Sequence, residues 1–159
     1  MVKRVIYPGT FDPITNGHLD ILQRALKLFT RVEVVVGDNP QKRCLFTLEE
    51  RIDLVRESVC SFRGVSVRPH SGLLVNMVKK RERAIFIRGL RAVSDFEYEL
   101  QMAMMNRHLN SNVETVFLMP NEKYIFLSSS LTKDISRFNG DIRGFLPAPV
   151  YEALKRKNP

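Results

Sequence analysis

The sequence predicts a single α/β domain built on a doubly wound, five-stranded parallel sheet. Three observations carry that expectation. Short apolar, β-branched runs alternate along the chain with longer amphipathic ones, as repeated βαβ units require. The 159 residues are about one domain's worth and enough to bury a core. No internal repeat, low-complexity segment or linker-like stretch interrupts the pattern.

The elements follow in order. Residues 2–7 read as a strand, and Gly17–Phe29 as a helix with Leu19, Leu22, Ala25, Leu26 and Phe29 on one face. Residues 32–36 form a β-branched run broken only by Glu33, as expected of a buried parallel strand. Thr47-Leu48-Glu49-Glu50 is a capping box that opens a helix to about Cys60. Residues 65–67 read as a short strand, Leu73–Arg81 as a helix and 84–87 as a strand. Ser94 is the expected N-cap of a helix to about Leu109, and 115–118 the fifth strand. Leu131–Phe138 and Pro147–Lys157 read as helices, the second with proline at its start.

Composition narrows the class. Hydrophobic residues make up 44% and charged residues 26%, close to a globular average. No run approaches the roughly 20 apolar residues that span a bilayer, and the N-terminal apolar run is too short for a secretory signal. A cytoplasmic protein with no membrane partner is expected. Cys44 and Cys60 lack metal-ligand spacing and read as reduced thiols in or near the core. The net charge of +8 calls for an anionic partner. Nucleic acid is not favoured, because the strands are aliphatic and lack the aromatic platform of RNA-binding sheets.

In sheets of this kind ligands bind beyond the carboxyl ends of the strands. After the first strand comes Tyr7-Pro8-Gly9-Thr10-Phe11-Asp12-Pro13-Ile14-Thr15-Asn16-Gly17-His18. Prolines brace this loop, Gly9 and Gly17 permit close approach, Thr10 offers a hydroxyl, and His18 falls in the first helical turn, where free N–H groups favour an anion. A helix-capping histidine is the competing reading. After the second strand, Lys42 and Arg43 form a cationic loop that can clamp phosphate or be a solvated surface run. After the fourth, Arg88 and Arg91 flank Gly89. A buried arginine needs an anion, either a ligand or an internal partner among Asp95, Glu97 and Glu99. After the fifth, Ser128, Ser129 and Ser130 can offer hydroxyl and backbone N–H groups at a helix start, or serve as simple caps. Together these loops describe one site for several phosphates. Met102, Met104 and Met105 form a stripe whose default place is the core, with an interface or ligand contact as the alternative.

These residues bear a family resemblance over the full length. Thr15–His18 resembles the T/HxGH signature of the nucleotidyltransferase superfamily, and Leu127–Ser130 is similar to its serine-rich second signature. Arg88–Glu99 together with Asn106–Leu109 resembles the phosphopantetheine adenylyltransferase branch. The resemblance implies a Rossmann-like fold and reversible transfer of an adenylyl group from ATP to 4′-phosphopantetheine, giving dephospho-coenzyme A and pyrophosphate. It also implies Mg²⁺ with ATP, inhibition by coenzyme A, and a homohexamer. In this sequence's numbers it implies His18, Thr10, Lys42, Arg91 and Ser129 as catalytic residues. Thr10, Lys42, Leu74, Arg88 and Asn106 would hold the acceptor. Thr10, Phe11, Gly17, His18, Gly89, Arg91, Glu99, Pro120, Tyr124, Leu127, Ser128, Ser129 and Ser130 would hold ATP. No residue is assigned to a metal. The chain departs from the family's usual pattern at Gly72, Tyr124 and Leu127. The alternative is an adenylyltransferase of the same superfamily with another phosphate acceptor, such as nicotinamide mononucleotide.

Overall fold

The computed structural model describes residues 4–38, 43–91 and 93–157, and of 93–95 only the backbone. Five strands form the sheet: β1 (Arg4–Gly9), β2 (Val32–Asp38), β3 (Val65–Ser71), β4 (Ala84–Gly89) and β5 (Val113–Leu118). Their order is β3-β2-β1-β4-β5, and every pair is parallel. The helices are α1 (Asn16–Leu28), α2 (Leu48–Val59), α3 (Val93–Leu109), α4 (Ser129–Arg137) and α5 (Ala148–Lys157). This is the expected Rossmann-like single domain.

The sheet separates two cores. On one face, α1 supplies Ile21, Leu22 and Ala25, α2 supplies Ile52, Leu54, Val55 and Val59, and α5 supplies Val150, Ala153 and Leu154. They meet Val5, Tyr7, Val32, Val34 and Val36, the alternate residues of β1 and β2. On the other face, Ile6, Val35, Ala84, Phe86 and Val113 pack against Val75, Met77 and Val78. β1 and β2 therefore bury both sides, which explains their unbroken apolar character. β3 is an edge strand with an alternating burial pattern, and it tolerates Pro69 because an edge can forgo a ladder hydrogen bond.

Four local expectations change. The stretch 73–81 is not an α-helix: a single 3-10 turn, Leu74–Met77, tucks Val75 and Met77 inward before the chain enters β4. The helix after β4 begins at Val93, one residue ahead of the proposed cap Ser94, whose side chain lies outside the described residues. The methionines are not core: Met102, Met104 and Met105 are exposed on α3, along with Phe96, Tyr98, Leu100 and Leu109. Cys60 is exposed as well, and Cys44 half-buried, so the thiols are free but not both interior.

β1 and β4 lie side by side, while the segments that follow them lead to opposite edges of the sheet. A crevice therefore opens above Gly9 and Gly89, the last residues of these two strands.

Candidate active site

The crevice is a cavity of about 660 Å³ walled by the segments that follow β1, β4 and β5, with Gly37 of β2, Arg43 and Cys44 of the loop beyond it, and Leu74 completing the wall. Its shape starts with backbone. Gly9 ends β1, and Phe11 turns back over it with φ of 49°, in the left-handed region. A Cβ on Gly9 would lie 2.8 Å from the Phe11 ring, so only glycine lets the ring fold down. A Cβ on Gly89 would lie 3.3 Å from Ile21 Cγ1, and this closeness seats α1 over the switch point.

A buried guanidinium fixes the loop beyond. Arg51 on α2, only 2% exposed, donates through Nη1 to the carbonyls of Thr10 and Gly37, at 2.7 and 2.8 Å. It joins the ends of β1 and β2. Asp12 accepts from the N–H groups of Leu45 and Phe46 and from Lys133 Nζ at 2.6 Å. Burial pushes its carboxyl up, but the bonds from Lys133, Leu45 and Phe46 outweigh burial and hold it below the usual carboxylate range. Asp12 thus ties the first loop to the start of α2 and to α4.

His18 occupies the third position of α1 and completes a capping box with Thr15. The Thr15 N–H donates to His18 Nδ1 at 3.0 Å, and Thr15 Oγ1 lies 3.0 Å from the same nitrogen. A backbone N–H can only donate, so Nδ1 is the acceptor and the neutral ring carries its proton on Nε2. Burial lowers the His18 pKa from 6.5 to about 4, with Arg91 and Arg88 adding to the effect. The ring also stacks edge-on against Phe11 at 5.2 Å. His18 is thus a helix cap and a cavity-lining donor at once.

Arg88 and Arg91 supply the cations. Arg88 donates from Nε and Nη2 to both oxygens of Glu99, at 2.7 and 2.5 Å, and from Nη1 to the Pro8 carbonyl at 3.0 Å. The internal ion pair that competed with a ligand is therefore formed, and Glu99 is the partner. Three of the five guanidinium N–H groups are used, which leaves two for a ligand. Arg91 Nη1 donates to the Leu127 carbonyl at 3.1 Å and so ties the segment after β4 to the one after β5.

The three serines divide the work. Ser128 is the N-cap of α4 and accepts from Leu131 N–H. Ser129 donates its hydroxyl proton to the Pro13 carbonyl at 2.7 Å, so it has no side-chain proton left to offer a phosphate. Ser128 accepts through its oxygen and so keeps its hydroxyl proton, Ser130 also lines the cavity, and the backbone N–H groups of Ser129 and Ser130 head the helix with no carbonyl behind them.

Of the residues expected at a site, Thr10, Phe11, Gly17, His18, Leu74, Arg88, Gly89, Arg91, Glu99, Pro120, Tyr124, Leu127, Ser128, Ser129 and Ser130 all line this cavity. Asn106 does not: it lies on α3 about two turns beyond Glu99, outside the lining. Lys42 lies outside the described residues. Ile125 and Phe126, which stand between the lining residues Tyr124 and Leu127, are exposed. Sequence reasoning did not assign Tyr7, Asp12, Cys44, Tyr98 and Lys133, which also line the cavity. Lys133 had a usable signal, since it stands one helical turn from Ser129 on the same face of α4.

Among the described residues no three histidine, cysteine or carboxylate side chains gather to hold a metal ion. Nor is any described helix long and apolar enough to cross a membrane. The lining is cationic and hydrogen-bond donating, with a neutral imidazole among the donors. It suits a ligand of several phosphates, and the two carboxylates of the described lining, Asp12 and Glu99, are engaged by Lys133 and Arg88. The sequence model of a cytidylyltransferase-like family matches residues 6–135, a span that begins in β1 and ends in α4.

Proposed function

The chain belongs to the cytidylyltransferase-like family and is a nucleotidyltransferase, and from that premise we propose that it transfers the adenylyl group of ATP to 4′-phosphopantetheine. The observation that carries this reading is the convergence of His18, Arg88, Arg91 and the head of α4 on one cavity, with Leu74 at its wall. The cations and helix N-terminus suit the phosphates, while Leu74 offers apolar surface to a pantetheine arm beside Arg88.

The chemistry follows from charge. A phosphate monoester is ionised at neutral pH, so its oxygen attacks the α-phosphorus without a general base. The bond between that phosphorus and the bridging oxygen to the β-phosphorus breaks, and pyrophosphate leaves with the electron pair. What the protein must do is bring two anions together and stabilise the charge that develops between them. The Nε2–H of His18 is the donor for that charge, Arg91 and the α4 N–H groups hold the leaving phosphates, and Arg88 holds the acceptor. Mg²⁺ would arrive on the phosphates of ATP, since this ion keeps most of its waters and binds through few protein groups. The exposed apolar residues of α3 favour a homo-oligomer, a hexamer in this reading, and coenzyme A would inhibit by occupying the same cavity.

The test is pyrophosphate release from ATP and Mg²⁺ with 4′-phosphopantetheine, run beside nicotinamide mononucleotide. Release with 4′-phosphopantetheine alone is expected. Release with nicotinamide mononucleotide alone would overturn the acceptor while keeping nucleotidyl transfer.

A further inference from the structure

Tyr7 has no role in the fold that its hydroxyl explains. It is 5% exposed, at the inner wall of the cavity in β1. Its ring is well used, packed in the main core and edge-on to Phe11 at 5.5 Å. Its hydroxyl has no hydrogen-bond partner among the described residues, whereas the neighbouring Arg88 and Arg91 side chains are anchored to Glu99, the Pro8 carbonyl and the Leu127 carbonyl.

The ring is buried, but the hydroxyl is not sealed from solvent and meets the cavity that Tyr7 lines. A donor placed at a cavity wall with no partner inside the fold has its use toward a ligand. The neighbours say what use. Arg88 and Arg91 are the charges closest in effect on the phenol, and they are the two cations of the cavity. Burial pushes the phenol's pKa up despite both arginines, so it stays protonated and can donate. Phe11 makes edge-on contacts with both the Tyr7 ring and the His18 ring.

We infer that the Tyr7 hydroxyl is a substrate-binding donor, one that hydrogen-bonds a phosphoryl oxygen held between Arg88 and Arg91. The inference rests on the cavity being the nucleotidyl-transfer site, and not on which acceptor is used. The phosphoryl oxygen can come from ATP or from the acceptor, and the binding arms below separate the two.

The test is Tyr7→Phe, which removes one oxygen and keeps the ring. Dissociation constants are measured by calorimetry for ATP with Mg²⁺, for inorganic pyrophosphate and for 4′-phosphopantetheine, alongside the thermal midpoint. A hydrogen bond to a charged group predicts about ten-fold or greater weakening for at least one of these ligands. The thermal midpoint should hold or rise, because the lost hydroxyl had no partner to lose. Unchanged constants for all three ligands would overturn the inference. So would weakening accompanied by a fall in the midpoint, which would mark the hydroxyl as structural. A wild-type protein that binds ATP but does not turn over 4′-phosphopantetheine would defeat the acceptor assignment and leave the Tyr7 comparison standing on ATP and pyrophosphate.

Discussion

The titration of His18 puts the site's electrostatics to a direct test. The perturbation is acid. In the folded protein burial, Arg91 and Arg88 bring its pKa to about 4, against 6.5 for the free side chain. The folded value is the lower one, so between pH 6.5 and 4 the unfolded chain binds a proton that the folded chain refuses. Stability from this residue is full above about 6.5, and it falls as the pH drops toward 4. The gap of about 2.5 units corresponds to about 3 kcal/mol, an upper figure because the ring is only partly shielded. The assay is the imidazole ¹H–¹⁵N spectrum of the ligand-free protein from pH 3.5 to 8, with the His18 signals assigned by their loss in His18→Gln. Two results are expected: a midpoint well below 6, and a neutral form protonated on Nε2. A midpoint near 6.5 would refute the buried, cation-flanked setting. Protonation on Nδ1 would refute the Thr15 clamp even if the midpoint were low.

Other perturbations probe the frame. Asp12→Ala leaves Lys133 and two loop N–H groups without their shared acceptor, and should cost about 3 kcal/mol, read by urea unfolding. For the native protein the depressed Asp12 pKa means that its contribution is present above the unfolded carboxylate value and is lost as the pH falls through the lower folded value. Gly9→Ala places a methyl against the Phe11 ring and should cost about 1–3 kcal/mol, with weaker ATP binding by calorimetry. Arg88→Ala should raise the KM for the acceptor at least ten-fold. An unchanged KM would leave Arg88 as the partner of Glu99 and nothing more.

The sheet was legible because its central strands bury both faces and so are written in valine and isoleucine. The 73–81 stretch was not, because Leu74, Val75, Met77 and Val78 have helical spacing, yet a 3-10 turn already buries Val75 and Met77 against the sheet. α3 misled in the opposite way. Its apolar residues lie all round the helix, so periodicity cannot say which side faces the core, and Met102, Met104 and Met105 come out on the surface. At the site, residues carried by short motifs were legible, since backbone requirements leave glycine, proline and capping residues at fixed offsets. Pairings across distance were harder to read. Asp12 meets Lys133 across 121 positions, and only the packing of α4 on the first loop brings them together. Glu99 was named among several carboxylates near Arg88, but its bidentate geometry depends on how α3 leaves β4.

The two readings of His18, cap and catalytic donor, turn out not to compete. A neutral histidine has two tautomers, and only one presents an N–H at Nε2. Using Nδ1 to close the capping box selects that tautomer by a backbone donor that cannot reverse its role. The cap therefore prepares the donor before any substrate arrives, which is the condition under which a hydrogen bond to developing charge costs no reorganisation. It follows that Thr15→Val should do more than weaken the helix. The valine keeps the N–H to Nδ1 but loses the hydroxyl that also lies 3.0 Å from it. His18 should then be less firmly held, with kcat falling while the KM for ATP stays near its original value. Equal losses in folding stability and in ATP affinity, with kcat intact, would make the box a structural cap alone.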